Sequence, residues 1–199
     1  MKLFYILLLT LIAGLIANFL YSRSRFSYVG AQKCKTCHGS EAIGNQNKIW
    51  RSSPHAKAVL ILRYAKARKI GAKYGVKEPH KSIKCLKCHT TGRGKVAALN
   101  SEGVGCEACH GPGSKYHEPE IHINYLDRKK GYKKAVRYGM YPILYDHLKN
   151  REKLCKYCHN NKRPCLPEDA AGRLKQKLTI QVIDKLQKGY VKFKHPLRR

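Results

Sequence analysis

The chain has 199 residues and a formal net charge of +29, from 41 lysine and arginine residues against 12 aspartate and glutamate residues. This length allows one compact domain, or one domain plus a membrane anchor, and leaves no room for several large domains. The charge indicates an anionic partner, and the nine cysteines indicate disulfide bonds, bound metal or a covalently attached cofactor.

The N-terminal segment predicts a membrane anchor. From Leu3 to Leu20 the sequence is an almost uninterrupted apolar run, and a helix needs about 17–25 such residues to cross a bilayer. The apolar part of a cleaved signal peptide is shorter, roughly 7–15 residues. We therefore interpret residues 1–21 as a transmembrane anchor or uncleaved signal, with a cleaved signal as the alternative. Basic residues follow this helix, which opposes the positive-inside rule, but long domains are translocated largely regardless of charge.

A C-x-x-C-H motif then occurs four times along the chain. The paired cysteines are Cys34 and Cys37, Cys85 and Cys88, Cys106 and Cys109, and Cys155 and Cys158. The histidines that close the motifs are His38, His89, His110 and His159. The motifs use eight of the nine cysteines, and we assign no role to the ninth, Cys165.

The repeated motif indicates covalently bound c-type haem. Each cysteine forms a thioether to the haem, and the histidine that follows binds the iron as its proximal ligand. Zinc held by paired C-x-x-C runs is the competing hypothesis, but a zinc site gives no reason for a histidine after every pair. We therefore predict four c-type haems.

The motif also predicts a location. Covalent haem attachment normally takes place on the outer side of the bacterial or archaeal cytoplasmic membrane. This agrees with an N-terminal export or anchor segment, so we expect a single-pass protein of the cytoplasmic membrane with its haem domain on the periplasmic or extracytoplasmic side. Nucleic acid is not expected as a partner there.

The pattern of the remaining sequence predicts a mainly α fold. Short helices are expected at Ser53–Arg68 and Tyr138–Leu148, glycine and proline clusters mark turns, and no sustained strand alternation is present. We assign residues 22–165 to a tetrahaem cytochrome c domain, in which short helices and loops wrap four haems. Residues 166–199 are interpreted as a basic, amphipathic C-terminal helix and tail, with a membrane-surface helix as the alternative.

The sequence identifies the proximal histidine of each haem but does not determine which residue is the sixth ligand of each iron. Met140 is the one methionine besides Met1, so at most one haem can have methionine and histidine ligation. The other haems are expected to have two histidines or an open position. Six histidines outside the motifs are candidates: His55, His80, His117, His122, His147 and His195.

Two segments carry a resemblance to the tetrahaem cytochrome c-554 family. They are Trp50–Ala58 (WRSSPHAKA), after the first motif, and Gly103–Gly113 (GVGCEACHGPG), around the third. The resemblance implies a mostly helical electron carrier with closely stacked haem pairs. It covers residues 30–117 best and is faint in the C-terminal tail. The N-terminal anchor and the excess of basic residues depart from the soluble family pattern.

The resemblance also implies a ligand set. By analogy His55 binds the haem held by Cys106 and Cys109, and His117 binds the haem held by Cys34 and Cys37. For the fourth haem His147 is favoured, with His195 as the rival. The second haem of the family's type member has no sixth protein ligand, whereas here His80 lies shortly before the second motif.

These features favour a membrane-anchored carrier that transfers electrons between a membrane or periplasmic donor and a redox partner. The basic charge favours an acidic redox protein or membrane oxidoreductase complex, or anionic lipid headgroups, and a homo-oligomer is left open. The alternatives are a small nitrogen-oxide reductase with a five-coordinate haem, a haem wire of stacked subunits, and a quinol dehydrogenase. No single residue demands an enzymatic role.

Overall fold

The computed structural model describes Tyr5 and residues 26–124, 126–143 and 148–160. Apart from Tyr5, the anchor expected at residues 1–21 lies outside these residues. So do the tail at 166–199 with His195, and also His147 and Cys165. None of the helices in the described ranges is long and apolar enough to cross a membrane.

Short helices dominate the described residues between 26 and 160, where no β-strand is present. The α-helices are α1 (Ala31–His38), α2 (Gln46–Arg51), α3 (Ala65–Ala72), α4 (Ile83–His89), α5 (Cys106–His110), α6 (Pro119–His122), α7 (Arg128–Arg137) and α8 (Leu148–Cys158). Short 3₁₀ segments lie at Glu41–Ile43, Leu60–Arg63, Thr91–Gly94 and Ala97–Leu99. The prediction of a mainly helical fold is confirmed.

The helix predicted at Ser53–Arg68 is replaced by turns, a 3₁₀ segment at Leu60–Arg63 and the start of α3. The reason is a long-range contact. The carbonyl of His55 accepts the backbone N–H of Val104 at 2.9 Å, and Gly103 packs so closely that a Cβ atom there would lie 2.5 Å from a backbone oxygen. The backbone at His55 therefore supports the loop before the third motif instead of continuing a helix.

The structure also differs from the prediction of a helix at Tyr138–Leu148. The described part, Tyr138–Ile143, is not helical, and Leu148 is the first residue of α8. The backbone N–H of Tyr141 donates to the carbonyl of His110 at 2.8 Å. This bond attaches the segment after α7 to the end of the third motif.

The apolar core of the described residues is small. Val59, Leu62 and Leu86 form a buried cluster, with Cys85 packed against it. The largest side chains that are fully buried include the polar Glu107 and Thr91. The helices therefore pack around the motif cysteines more than around a conventional hydrophobic core.

Candidate functional site

Each C-x-x-C-H motif lies on or at the end of a helix. The first three occupy α1, α4 and α5, and the fourth ends α8, with His159 directly after it. Helical residues three or four positions apart lie on the same side. Each helix therefore presents two thiols and one imidazole to a common side, which is the donor set that c-type haem requires.

The first and third motifs meet at their first cysteines. The thiol of Cys34 and that of Cys106 form a hydrogen bond, which raises the pKa of Cys34 and lowers the pKa of Cys106. Burial raises the pKa of Cys34 further. Cofactors attached at these two cysteines would therefore be close neighbours.

The third motif also lies close to the fourth, and the fourth lies close to the second. Cys109 lies close enough to Cys155 for its charge to raise the pKa of Cys109, although burial is the larger cause. His159 in turn has a pKa lowered by burial and then by His89. The third motif is therefore close to the first and to the fourth, and the fourth is close to the second. Thr91, two residues after the second motif, also accepts the backbone N–H of Gly105, directly before the third, at 2.8 Å.

A cation–π contact also joins the second and fourth motifs. The guanidinium carbon of Arg93, in the turn after α4, lies 3.9 Å from the ring centroid of Tyr157, which is inside the fourth motif. Arg93 has a left-handed backbone, with φ of 59°. Such a conformation is unfavourable for a residue with a side chain, so the turn must be held by its surroundings.

Glu107, inside the third motif, is 1% exposed and binds three backbone N–H groups. Val29 donates to both carboxylate oxygens at 3.0 and 3.1 Å, Gly30 donates to Oε2 at 2.7 Å, and Gly113 donates to Oε1 at 2.6 Å. Hydrogen bonds to a charged acceptor are stronger than neutral ones. Glu107 therefore fixes the start of α1 and the turn after α5 to the third motif.

Glu102 reinforces the same junction. Its Oε2 accepts the backbone N–H of Ala31, the first residue of α1, at 2.9 Å. Burial raises the pKa of Glu102, and the neighbouring Glu107 raises it further. Two carboxylates thus lie at the N-terminus of the helix that carries the first motif, where negative charge is favourable.

Two pairs of histidine rings face each other across the site. The ring centroids of His38 and His122 are 6.3 Å apart, with 32° between the ring planes. Those of His55 and His159 are 5.9 Å apart, at 69°. Each pair combines one motif histidine with one histidine from outside the motifs.

His55 differs in its surroundings from what the resemblance implies. It was expected to bind the haem held by Cys106 and Cys109, whereas its ring lies beside His159 of the fourth motif. Burial, followed by the neighbouring His159, lowers the pKa of His55 to about 4. His55 is therefore neutral at physiological pH, as a metal ligand must be.

The other candidates have identifiable partners. His89 contacts the carbonyl of Ala58 through Nδ1 at 2.7 Å. His117 contacts the carbonyl of Gly113 through Nδ1 at 2.9 Å and the carboxylate of Glu118 through Nε2 at 3.0 Å. His80 Nε2 lies 3.9 Å from Glu78 Oε1. The structure places the ring of His122 beside His38 and that of His55 beside His159, and it places His80 and His117 beside carboxylates.

The residues present fit a covalently held haem. Cys37 and Cys109 are exposed, and the other six motif cysteines are half-buried. None of the eight thiols is fully enclosed by protein, so a cofactor can reach each of them. The small apolar core of the described residues agrees with this, because haem would supply the missing apolar surface.

Sequence reasoning included His122 among six candidate sixth ligands without assigning it to a haem, and it gave Glu107 no role. His122 comes from α6, far in sequence from the first motif, and its spacing from His38 carries no signal. Glu107 occupies a variable position of C-x-x-C-H. The clue available for Glu107 was a single acid between two cysteines in a chain that is otherwise strongly basic.

Comparison with known proteins agrees with the geometry. A family model described as cytochrome c554 and c-prime matches residues 33–111. Cytochrome c-554 of Nitrosomonas europaea is 31% identical over 145 residues, which are 67% of this chain and 58% of that protein. The chain thus spans somewhat over half the length of this curated relative. No solved structure matches the chain.

A helical thiol pair followed by histidine binds c-type haem, and both matches are cytochromes by name. The fold and the site therefore define a c-type cytochrome. Within that class, the chain belongs to the cytochrome c-554 family. The resemblance seen in Trp50–Ala58 and Gly103–Gly113 is confirmed.

Proposed function

We propose that the protein is a membrane-tethered electron carrier with four c-type haems on the extracytoplasmic side of the cytoplasmic membrane. The observation that carries this proposal is the closeness of the four motifs: the third lies near the first and the fourth, the fourth lies near the second, and Gly105 before the third motif binds Thr91 after the second at 2.8 Å. When bound, c-type haem supplies one-electron redox chemistry, and the protein sets its position and surroundings.

The exposed charge supports an acidic redox partner. Helix α7 has a basic surface, on which Lys129, Lys130, Lys133 and Lys134 are all exposed. The helix packs against α6, where Gly131 approaches the carbonyl of His122. A negatively charged protein or lipid surface that binds α7 would therefore lie near the first motif, because the ring of His122 lies beside that of His38.

The haem count and the anchor are tested on the full chain. Mass spectrometry of the denatured protein should find four haems that stay attached, and each pair of Cys→Ala changes in one motif should remove one of them. The full chain should sediment with membranes and be released by detergent but not by high salt, whereas a chain without residues 1–21, exported with a separate cleavable signal, should be soluble. Fewer than four attached haems, or release by salt alone, would contradict the proposal.

One observation favours the alternative of a haem with an open iron. Among the described residues, no histidine ring from outside the motifs is paired with His89, in contrast to His38 and His159. A nitrogen-oxide reductase or small-ligand site would therefore be sought at the second motif. Carbon monoxide added to the reduced protein distinguishes the two functions: no spectral change supports a carrier alone, and a shift that a Cys85→Ala/Cys88→Ala variant lacks supports the alternative.

A further inference from the structure

We propose that His122 is the sixth ligand of the haem held by Cys34 and Cys37, opposite His38, and that His117 is not. This inference rests on the proposed function, because it presupposes haem at the first motif. It changes the ligand that the family resemblance implies, and it names a histidine on α6 that the resemblance does not use.

The separation of the two rings carries the argument. The centroids of His38 and His122 are 6.3 Å apart. Two imidazoles on opposite sides of one metal ion, each bonded at about 2 Å, have centroids roughly 6 Å apart. Rings packed face to face without a metal would be closer than this. The spacing between His38 and His122 is therefore the one that two imidazoles bound to the same metal ion would have.

Hydrogen bonding orients His122 as a ligand. Its Nδ1 lies 3.0 Å from the carbonyl oxygen of Glu118. A carbonyl oxygen only accepts, so Nδ1 carries the hydrogen and the lone pair belongs to Nε2. Metal-binding histidines usually donate their other ring N–H to a carbonyl or carboxylate in this way.

His38 is oriented similarly by a polar side chain. Its Nδ1 lies 3.2 Å from Gln46 Oε1, and the amide nitrogen of Gln46 is fixed by a bond of 2.6 Å to the carbonyl of Ile43. The amide oxygen therefore faces the ring and accepts its N–H. Both members of the pair are thus set to present Nε2 to a metal.

His117 has the opposite arrangement. Its Nδ1 faces the carbonyl of Gly113 at 2.9 Å, and its Nε2 faces Oε1 of Glu118 at 3.0 Å. Both ring nitrogens lie at hydrogen-bond distance from protein oxygens, so neither is directed at open space in which a metal ion could bind. Glu118 therefore contacts both histidines. Its backbone carbonyl accepts the Nδ1–H of His122, and its carboxylate contacts Nε2 of His117.

The backbone around His122 is held from outside α6. Gly131 of α7 is buried, and a Cβ atom there would lie 2.8 Å from the carbonyl oxygen of His122. Lys134 of α7 donates to the carbonyl of Glu120 at 2.7 Å. These contacts fix α6 on α7 before any metal is bound, so the ring of His122 is positioned by the protein.

The test compares His122→Ala with His117→Ala in the full, haem-loaded chain. Denaturing mass spectrometry first counts the attached haems, which separates failure of the proposed function from failure of this inference. With all haems attached, His122→Ala should convert one haem from low-spin to high-spin in the optical and electron paramagnetic resonance spectra. That haem should bind carbon monoxide, and added imidazole should restore the low-spin signal. His117→Ala should leave the spectra unchanged.

A second variant keeps the test decisive if His122→Ala does not accumulate. His122→Met offers a ligand that keeps the iron six-coordinate, and it should raise the reduction potential of one haem, because methionine and histidine ligation raises potential. An open haem in His117→Ala, or low-spin spectra and unchanged potentials in both His122 variants, would overturn the inference.

Discussion

Glu107 accepts the backbone N–H of Gly30 at 2.7 Å, so a side chain inside the third motif holds the residue that precedes the helix of the first motif. The same carboxylate binds Val29 and Gly113. A Glu107→Gln change would place an amide N–H₂ against at least one of these donors. We expect it to lower the free energy of unfolding by about 1–3 kcal/mol, the range for a buried polar group left without its partner.

Denaturant unfolding, followed by haem absorbance, measures this effect. The matched control is Glu78→Gln, because Glu78 is an exposed carboxylate whose partner, Lys81, is also exposed. Exposed ion pairs contribute little to stability, so the control should unfold as the parent chain does. Equal unfolding of both variants would show that Glu107 does not hold the two motifs together.

The neighbouring Glu102 predicts a pH dependence of stability. Burial raises its pKa above the ordinary value, so the folded chain binds a proton that the unfolded chain releases. Stability therefore falls as pH rises from the ordinary carboxyl pKa through the raised pKa of Glu102. In Glu102→Gln this fall should be absent. The free energy of unfolding of the variant should therefore increase relative to that of the parent chain as pH rises over the same range.

The measurement is the unfolding midpoint in denaturant at a series of pH values from 4 to 8. The curves of the parent chain and of Glu102→Gln should differ in slope. Lys35, Arg51 and Lys57 line the cleft beside Glu102 and are the same in both chains, so the comparison isolates the carboxyl group of Glu102. Parallel curves would exclude Glu102 as its source.

The sequence predicted the local part of this protein and missed the long-range part. The four motifs were predictable because the spacing of two thiols and a histidine is read directly from the sequence, whereas the helices that carry them were not predicted. The helix expected at Ser53–Arg68 failed because the His55 carbonyl binds Val104, which apolar periodicity cannot reveal. The contacts of Glu107 and the closeness of His122 to His38 were missed for the same reason, since each joins segments that are distant in the sequence.

The contact of Arg93 with Tyr157 predicts a stabilising link between the second and fourth motifs. Cation–π contacts contribute about 0.5–2 kcal/mol, depending on exposure. Because Arg93 is exposed, we expect Arg93→Ala to lower the free energy of unfolding by an amount near the lower limit. Arg93→Lys keeps the cation and Tyr157→Phe keeps the ring, so both should retain most of the link. A loss in these two variants as large as in Arg93→Ala would assign the effect to other contacts.

The basic surface of α7 predicts electron transfer that depends on salt. Lys129 and Lys133 are exposed and one helical turn apart, and reversing both charges should weaken the attraction of an anionic reactant to the region near the first motif. Oxidation of the reduced protein by anionic hexacyanoferrate(III), measured by stopped flow, should slow by roughly tenfold at low ionic strength. Salt screens exposed charges over about 10 Å at 0.1 M, so the difference should shrink as salt is added.

The control reverses two exposed lysines on α3, Lys66 and Lys69, and so changes the net charge by the same amount at a different surface. If α7 guides the reactant, the α3 variant should react almost as fast as the parent chain, because guidance depends on where the charge lies and not on its total. Equal slowing of both variants would mean that the net charge of +29 acts as a whole and that α7 is not a preferred docking surface. Slowing that persists at high salt would instead point to a changed structure, since screened surface charges cannot act at that range.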